Sequence, residues 1–366
     1  MPIGRIELVD FRNYARWELS PGDELTVLVG RNATGKTNAI EAIQLLTAAR
    51  SFRRPRWEDL VRWGAAATRI SLWGDEESRP FEVSLAVSAE GERTYRVNGQ
   101  VKRRLSDVAG LVPSVTFTPE DLGLVKGASD RRRAAIDDLG EQLSAAYAAV
   151  RRDYGRTVRH RNVLLREPAT RAGELAPWDE QLVTLGTKLL VSRVRLLRRI
   201  AGHTTEAYGE LSAGEALEID YADTIGLGPG TLGRDLSAEE VAAAMGASLD
   251  ARRADERARQ VSLVGPHRDD VVFSIDRRDA RTFGSQGQQR TIALAWKLSE
   301  VRVVEDVASR RPVLLLDDVM SELDESRRRA LTDVVRRDVQ TFVTTTNLGY
   351  FEADMLGAAT VVELAR

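Results

Sequence analysis

The residues best suited to chemistry form a glycine-containing loop near the start of the chain. Residues 30–37 read GRNATGKT, which matches the phosphate-binding loop pattern. Glycine lets the backbone turn its N–H groups inward around phosphate oxygens, and the helix that follows adds partial positive charge. Lys36 would bridge the β- and γ-phosphates of a nucleotide, and the hydroxyl of Thr37 would bind Mg²⁺. The sequence therefore predicts an ATP–Mg²⁺ site, to which we assign Gly30, Asn32, Gly35, Lys36, Thr37 and Asn38.

An apolar stretch late in the chain ends in two acids. Residues 313–316, VLLL, read as a buried strand, and Asp317 and Asp318 follow directly. Asp317 should hold the Mg²⁺ shell, and Asp318 occupies the place where a general base for water would stand. By itself the pattern is equally well explained as a buried strand that runs into an exposed acidic turn. Because nearly the whole chain separates it from the phosphate loop, the pair indicates a nucleotide domain with a large insertion.

A polar turn precedes the paired acids, and a second one follows them. Residues 283–290 read FGSQGQQR and open an apolar helix. A Ser-x-Gly-Gln unit at a helix start offers a hydroxyl, backbone amides and the helix dipole to an anion. Taken alone, a polar N-capped helix explains this turn at least as well. The second turn, SELD at residues 321–324, comes shortly after the acids.

Strand and helix patterns indicate how these segments are positioned. The first hundred residues alternate apolar and polar positions, as half-buried strands do, and contain one helix over 38–49. Asn98-Gly99 predicts a tight hairpin. From about residue 119 to 259 the strand alternation disappears, and long helical stretches take over. The strand pattern returns after Val261, so an α/β domain is split by a helical insertion.

The four motifs resemble those of the ABC (ATP-binding cassette) superfamily in their order along the chain. This resemblance implies an α/β fold, namely an ABC-type, SMC-like P-loop ATPase head with an inserted helical lobe. No heptad repeat is sustained, so we expect no long coiled coil. We predict that residues 1–117 and 262–366 form ATPase lobe I and that residues 118–261 form helical lobe II.

The superfamily resemblance also implies a mechanism. Two protomers face head to tail, and the SQGQ turn of each contacts the γ-phosphate held on the phosphate loop of the other. ATP thus stabilises a dimer that hydrolysis releases. The nucleotide contacts added by the resemblance are Arg12, Asn13, Ser285, Gly287, Gln288, Ser321 and Asp324. An equally good explanation of the first of these is that Arg12 and Tyr14 simply finish an edge strand. Lys36 and Asp318 are the implied catalytic residues, and because the usual base is glutamate, the shorter Asp318 predicts slow hydrolysis.

Several short segments resemble the RecF family of DNA-repair ATPases more closely. They are FRNY at 11–14, RSFR at 50–53, FTPEDL at 117–122, GPHRDD at 265–270 and the turn at 284–290. The resemblance implies an ATP-dependent homodimer that binds duplex DNA and gapped or single-stranded junctions. It further implies that RecO and RecR act with this dimer to load RecA, and that its ATPase activity is weak and linked to DNA.

Arginines cluster locally although the formal net charge is only −2. The clusters lie within residues 50–56, 102–104, 131–133, 151–161 and 193–199. A basic patch facing a phosphate backbone is one explanation, and an arginine-rich composition on solvated helix faces is the other. Following the family resemblance, we assign DNA contacts to Arg131, Arg132, Arg133, Arg151 and Arg152.

Three further assignments concern less distinctive positions. Residues 118–121 are the candidate for the lobe-spanning glutamine loop of the superfamily. Thr346 or Asn347 stands where transport ATPases have a histidine after the last core strand. We interpret His267 as a strand-end histidine held by Asp269 rather than as a catalytic group.

Composition excludes several classes of protein. The chain of 366 residues has 43% hydrophobic and 30% charged residues, as expected of a globular protein, and it contains no cysteine. Disulfides, thiol catalysis and cysteine-based zinc sites are therefore excluded. Apolar runs are strand-sized and no apolar signal segment is found at the N-terminus, so we expect a cytoplasmic protein without a membrane partner.

Three alternatives to a RecF-like DNA-repair ATPase stay open at this point. A transport ATPase is opposed by the SQGQ turn, the absent histidine and the large helical insertion. Another SMC-like chromosome protein would need long heptad arms, which the chain lacks. A nucleotide-gated scaffold that scarcely hydrolyses ATP is kept open by Asp318 in the place of glutamate.

Overall fold

The chain forms two compact units. The computed structural model describes residues 3–76, 79–167, 172–212, 214–336 and 339–364. Unit 1 contains the residues up to Leu122 and those from Lys297 onward. Unit 2 contains residues Gly123–Trp296.

Strands dominate unit 1, and helices dominate unit 2. The strands are β1 (Ile3–Phe11), β2 (Tyr14–Leu19), β3 (Leu25–Val29), β4 (Ala67–Glu76), β5 (Arg79–Ser88), β6 (Arg93–Val97), β7 (Gln100–Lys102), β8 (Ser114–Phe117), β9 (Leu217–Ala222), β10 (Asp270–Ile275), β11 (Arg278–Asp279), β12 (Val313–Asp317), β13 (Thr341–Thr345) and β14 (Thr360–Glu363). The α-helices are α1 (Lys36–Thr47), α2 (Ser129–Leu143), α3 (Ala145–Arg166), α4 (Ala172–Leu211), α5 (Ala238–Arg259), α6 (Ala280–Phe283), α7 (Gln286–Ala308), α8 (Glu325–Val335) and α9 (Ala353–Ala358). Short 3₁₀ turns include Trp57–Leu60, Pro119–Gly123 and Val319–Glu322.

The first sheet of unit 1 is parallel and has the strand order β14-β3-β13-β12-β8. Its central strands are buried on both faces, which explains why they read as continuous apolar runs. Parallel strands end at one edge of a sheet, and ligands of open α/β sheets bind beyond that edge. The loop after β3 and the acids at the end of β12 therefore lie at the same edge.

The second sheet of unit 1 is antiparallel and has the strand order β2-β1-β4-β5-β6-β7. The predicted hairpin joins β6 to β7, with both turn residues in the left-handed region, Asn98 at a φ of 49° and Gly99 at 76°. Helix α1 contacts strands of both sheets, and its side chains from Ala39 to Thr47 are buried. The helix that begins at the phosphate loop is therefore part of the central core of unit 1.

Helices α2 to α5 pack together in unit 2 beside a three-stranded sheet of order β11-β10-β9. The interior of this unit contains buried ion pairs. Arg161 bonds to Asp179 and Glu256, and Arg193 forms a bidentate pair with Asp137. Because buried charges are tolerated only when they are paired, these arginines fix the helices relative to one another.

The boundaries of the units differ from the predicted lobe boundaries at 117/118 and 261/262. The first differs by five residues, whereas the second lies at Trp296/Lys297. The physical reason is strand pairing, because β10 pairs along its whole length with β9, which lies inside the predicted helical lobe. Residues 262–296, including the SQGQ turn, consequently pack with unit 2. Among the helices that the structure describes, none has the length and apolar character needed to cross a membrane.

Candidate nucleotide site

The phosphate loop connects β3 to α1 through a tight turn. Gly35 has a φ of 106°, a left-handed conformation that glycine adopts without steric cost. A Cβ atom at this position would come within 2.6 Å of Nδ2 of Asn13. The loop is closed on itself by the hydroxyl of Thr34, which donates to the carbonyl of Arg31 at 2.9 Å. The glycine of the motif is thus required both by the backbone and by the neighbouring side chain.

Lys36 lies folded over this loop. Its side chain is only 7% exposed, and Nζ donates to the carbonyl oxygens of Gly30 at 2.8 Å and Arg31 at 2.9 Å. Two neutral carbonyls are weaker acceptors for an ammonium group than ionised phosphate oxygens. The lysine is therefore held where an incoming phosphate could replace its present partners.

Asn13 and Asn38, both predicted nucleotide contacts, line the loop. Asn13 donates from Nδ2 to the carbonyl of Thr34 at 3.2 Å and accepts from Nδ2 of Asn38 at 2.7 Å. The hydroxyl of Tyr14 donates to the carbonyl of Gly35 at 3.1 Å. The β1–β2 turn therefore holds the loop in shape from outside, while Asn32 is exposed on the loop itself.

Arg12 holds helix α1 through a carboxylate that the sequence reasoning missed. Its Nε and one terminal nitrogen bond to the two carboxylate oxygens of Glu41 at 3.0 and 2.9 Å, and its other terminal nitrogen bonds to the carbonyl of Asp59. Glu41 is fully buried and also accepts from the hydroxyl of Ser51 at 2.6 Å. An acid within an apolar helix was the available signal. The contact of Arg12 with a nucleotide stays a prediction.

Arg53, likewise not predicted, continues this network toward the loop. One of its terminal nitrogens donates to Oδ1 of Asn38 at 2.7 Å and lies 3.4 Å from Oε2 of Glu41. A hydrogen-bonded chain therefore runs from Arg53 through Asn38 and Asn13 to the phosphate loop.

Asp317 is buried at the end of β12 beside two hydroxyls. Its exposed fraction is 6%, and Oδ1 accepts from the hydroxyl of Thr344 at 2.8 Å. Burial raises the pKa of Asp317, while hydrogen bonds from Thr344 and Thr37 act in the opposite direction. The two predicted magnesium ligands, Thr37 and Asp317, therefore lie beside each other. Thr344 on β13 had no sequence signal beyond its place in a Thr-rich strand.

Asp318 adopts a strained backbone conformation and leaves one oxygen without a partner. Its φ is 53°, and its N–H donates to the hydroxyl of Thr344 at 2.9 Å. Oδ1 is buried and has no hydrogen-bond partner among the residues that the structure describes. Burial raises its pKa, the positive charge of Lys36 lowers it and Glu322 raises it. Buried polar atoms normally have partners, so this orphaned acceptor fits a bound water.

The donor set fits magnesium rather than a metal held by protein alone. No group of three or more His, Cys, Asp or Glu side chains that could hold a metal occurs in the described ranges. Mg²⁺ commonly takes one or two protein oxygens and completes its shell with waters and phosphate oxygens. Thr37 and Asp317 supply two such oxygens beside the phosphate loop.

The turn after the acids is held by its own side chains. The hydroxyl of Ser321 donates to the carbonyl of Asp318 at 2.9 Å. Asp324 caps α8 by accepting from the N–H of Arg327 at 3.0 Å, and this hydrogen bond lowers its pKa. Both residues therefore shape the turn, and their contact with a nucleotide stays a prediction.

The SQGQ turn begins α7 within unit 2. Ser285 and Gln288 cap each other, because the N–H of Gln288 donates to the hydroxyl of Ser285 and the N–H of Ser285 donates to Oε1 of Gln288. Gln288 also donates to Glu215 at 2.7 Å. Gly287 lies in the first turn of the helix. The alternative explanation of this turn, a polar cap at the start of a helix, therefore describes what the structure shows. A contact of the turn with a phosphate stays a prediction.

The predicted DNA contact at Arg132 is corrected by the structure. Its side chain is 2% exposed, forms a bidentate pair with Asp270 and donates to the carbonyls of Leu124, Val125 and Gly127. A guanidinium buried and bonded in this way cannot reach a phosphate backbone. The helical period places Arg132 inward while the preceding Arg131 faces solvent.

The positive charges of the other arginines predicted to contact DNA are partly neutralised by neighbouring groups. Arg133 is half-buried and donates to the carbonyl of Asp269. The positive charge of Arg151 is surrounded by three carboxylates, those of Asp137, Asp138 and Glu141. Arg152 is exposed and pairs with Asp153. These assignments therefore stay predictions on a surface with little surplus charge.

His267 is buried but is not held by Asp269. Its Nδ1 lies 2.7 Å from the hydroxyl of Tyr154, and its Nε2 lies 3.2 Å from the carbonyl of Ser262. Burial lowers its pKa to about 4. Asp269 instead accepts from Tyr221 and Thr224. The prediction that Asp269 holds His267 is therefore wrong, and the non-catalytic role of His267 stays a prediction.

The two remaining assignments lie on turns. Thr118 bonds through its N–H and hydroxyl to Asp121, whose other carboxylate oxygen lies 3.5 Å from Nζ of Lys297. Thr346 is exposed, and Asn347 caps the following turn by accepting from the N–H of Gly349. Thr344, rather than either of these residues, contacts the paired acids.

Comparisons with known proteins agree over the whole chain. The model of the RecF/RecN/SMC N terminal domain family matches residues 2–363. The chain is 40% identical over 366 residues to the DNA replication and repair protein RecF of Synechococcus sp. (strain JA-3-3Ab), covering 98% of this chain and 95% of the relative. It is also 40% identical over 369 residues to that of Heliobacterium modesticaldum, covering 100% of this chain and 97% of the relative.

Solved structures give the same result. A structure of the recombination mediator protein RecF-ATPrS in the RecFOR pathway matches with a TM-score of 0.89 and 28% identity, over 96% of this chain and 94% of that chain. An Smc head bound to the C-winged helix domain of ScpA matches in fold alone, with a TM-score of 0.55 and 15% identity, over 99% of this chain and 94% of that chain. The chain therefore belongs to the RecF family and has the fold of an ABC-type, SMC-like ATPase head.

Proposed function

We propose that the protein is an ATP-dependent DNA-binding protein of replication and recombinational repair. The observation that carries the proposal is the convergence of Lys36, Thr37, Asp317 and Asp318 at one sheet edge, with Asp318 leaving a buried acceptor without a partner. The relatives named for DNA replication and repair, and the RecF structure with ATPrS, support it. They favour it over a transport ATPase and over another SMC-like chromosome protein.

In this proposal ATP is the substrate, and each residue has a defined task. The backbone of the phosphate loop and Lys36 bind the β- and γ-phosphates. Thr37 and Asp317 would hold Mg²⁺, which when bound would neutralise charge on the phosphates. Asp318 orients the attacking water and accepts its proton. The water oxygen forms a bond to the γ-phosphorus while the bond from that phosphorus to the β–γ bridging oxygen breaks, and ADP and phosphate leave. Ser285, Gly287 and Gln288 of one protomer contact the γ-phosphate on the other, so that ATP favours a closed homodimer.

The proposal includes the partners that the family resemblance implies. The closed dimer binds duplex and gapped DNA in the cytoplasm and acts with RecO and RecR to load RecA. Hydrolysis is slow, because Asp318 is one methylene shorter than the glutamate usual in the superfamily, and it releases the dimer from DNA.

A second candidate function is a nucleotide-gated scaffold with negligible hydrolysis. This candidate is favoured by the identity of Asp318, whose side chain is one methylene shorter than the usual glutamate and therefore stands farther from the attacking water. Phosphate release separates the two. A rate in the wild type that Asp318→Asn lowers at least tenfold supports hydrolysis, whereas equal background rates support the scaffold.

The central experiment measures binding to a labelled gapped duplex at moderate salt without nucleotide, with ATP–Mg²⁺ and with ADP–Mg²⁺. We expect ATP alone to strengthen binding. Lys36→Met should abolish the effect, since losing charge-assisted hydrogen bonds of about 1.5–3 kcal/mol weakens nucleotide binding about 10- to 100-fold. Lys188→Met, an exposed lysine on α4, is the matched control. Absence of DNA binding under every condition would contradict the proposal while leaving nucleotide binding intact.

A further inference from the structure

The five arginine-rich clusters differ in how the fold neutralises them. In four of them a member is bound to a carboxylate: Arg53 to Glu41, Arg132 to Asp270, Arg151 to Asp137 and Arg193 to Asp137. The cluster at residues 102–104 is different. Within the part of the chain that the structure describes, the side chains of Lys102, Arg103 and Arg104 form no ion pair or hydrogen bond with another residue.

This cluster lies at a free sheet edge. β7 is the last strand of the antiparallel sheet, and its neighbour β6 pairs Tyr95 with Lys102 and Arg96 with Val101. Arg96 is exposed and likewise has no described side-chain partner. We name the four residues Arg96, Lys102, Arg103 and Arg104 the basic edge. One acid, Asp107, follows it closely in sequence, so the edge keeps a surplus of about three positive charges.

The acids on the neighbouring strands do not compensate this surplus. The adjacent strand β6, RTYRV, contains no acid, and the one acid of the next strand, β5, is Glu82. Glu82 lies 3.7 Å from Arg69. The one carboxylate on the two strands beside β7 is thus already matched by an arginine away from the edge.

The composition of the edge indicates which polyanion it fits. Residues 100–105, QVKRRL, contain no aromatic side chain, so unstacked bases would find no ring to stack on. The exposed apolar residues there are the aliphatic Val101, 56% exposed, and Leu105, 39% exposed. Lysine and arginine without carboxylate partners are suited to phosphate oxygens.

We propose that the basic edge binds the phosphate backbone of duplex DNA, an inference that rests on the proposed DNA-binding function. The edge is joined to the nucleotide site within unit 1. The hydroxyl of Tyr95, the cross-strand partner of Lys102, donates to the carbonyl of Leu45 on α1 at 3.0 Å, and this bond is buried. DNA on the edge would therefore rest on the sheet that packs against the helix beginning at Lys36.

The test compares the salt dependence of duplex binding, with ATP–Mg²⁺ present, for the wild type and for K102A/R103A/R104A. Each phosphate contact contributes about 0.9 to the slope of log K against log salt, so the variant should lose about 2 to 3 in slope. Its affinity at moderate salt should fall at least tenfold. The matched control R159A/R195A/R199A removes three exposed arginines of unit 2 that have no described side-chain partner, and its slope should change by less than about 0.5.

The outcomes separate the two proposals. If the wild type binds no duplex in any nucleotide state, the proposed function fails and the edge has no ligand of this class. If the wild type binds and the K102A/R103A/R104A slope is unchanged, or if the control loses as much, only the edge assignment fails. If K102A/R103A/R104A loses binding to labelled poly-glutamate but still binds duplex DNA like the wild type, the edge binds an acidic protein chain. That result would overturn the proposal. Thermal unfolding of each variant verifies that the fold is kept.

Discussion

The hydroxyl of Thr344 is hydrogen-bonded to Asp317 and to the backbone of the next residue at once. It donates to Oδ1 of Asp317 at 2.8 Å and accepts from the N–H of Asp318 at 2.9 Å. One oxygen on β13 thus fixes the orientation of a carboxylate at the end of β12 and the strained turn that follows it. The two acids of the site depend on a residue from a neighbouring strand.

Replacement of Thr344 tests this relationship. Thr344→Val keeps the shape but removes both hydrogen bonds, so the pKa of Asp317 should rise further and its hold on Mg²⁺ should weaken. Loss of such a supporting partner typically costs about 10- to 100-fold in metal affinity or activity. We expect ATP turnover at low Mg²⁺ to fall by that factor, with partial recovery at high Mg²⁺ and rescue by Thr344→Ser.

The matched control for this variant is Thr341→Val on the same strand, whose hydroxyl donates to the carbonyl of Val339. It should lose stability without a change in the Mg²⁺ dependence. A Thr344→Val protein with the wild-type Mg²⁺ dependence would show that the bond to Asp317 has no part in metal binding.

The buried pair of Arg12 and Glu41 should be a main determinant of the stability of unit 1. Glu41→Gln leaves the guanidinium with a neutral partner, and breaking a buried pair costs about 3 to 5 kcal/mol. Because the side chain of Arg12 keeps 19% exposure, we expect the lower end of that range in the free energy of urea unfolding. Glu7→Gln breaks the exposed pair with Arg16 and should cost less than about 1 kcal/mol. Equal effects of the two variants would contradict a structural role for Glu41.

Arg132 should behave as a core residue and not as a DNA contact. Arg132→Met leaves Asp270 and three carbonyls without their donor, which should destabilise the protein by about 3 kcal/mol or more. Arg159→Met, at an exposed arginine of α3, should change the free energy of unfolding by about 0.5 kcal/mol or less. If Arg132→Met instead has the wild-type free energy of unfolding and a lower salt slope of DNA binding, the result would support the original assignment of Arg132 as a DNA contact.

His267 should make unit 2 sensitive to acid. Its pKa is lowered from the usual 6.5 to about 4, so below pH 6.5 the unfolded chain binds a proton that the folded chain refuses. Stability is therefore lost as the pH falls from 6.5 toward 4. Between pH 7 and pH 5 the loss from this group should be about 2 kcal/mol.

Urea unfolding at these two pH values measures this contribution. The His267→Gln variant should have a lower free energy of unfolding than the wild type at both pH values. The difference between its two values should be smaller than in the wild type. His160→Gln, which removes an exposed ring stacked on Trp178, should keep the wild-type difference. An unchanged difference in His267→Gln would mean that another group carries the acid sensitivity.

Much of the candidate site could be predicted from local sequence, because its parts are local. The phosphate loop, the paired acids and the hairpin at Asn98-Gly99 depend on residue types at fixed spacings, and the structure has each of them in the expected element. The predictions for the arginines were less successful. In a run of arginines on a helix, the helical period says that one side chain faces inward, but the sequence does not show which one. Whether Arg131 or Arg132 is buried therefore depends on the elements that pack against the helix.

The sequence by itself determined the nucleotide-site motifs, the strands that carry them and the helical stretches between them, since backbone geometry and apolar periodicity act over a few residues. Only the tertiary structure decided that β10 pairs with β9 and draws residues 262–296 into unit 2. It alone showed that Thr344 supports the acids, that Glu41 holds Arg12, and that the basic edge is left without carboxylates. These relationships join residues far apart in the chain, and pairing and burial of charge depend on which elements meet in space.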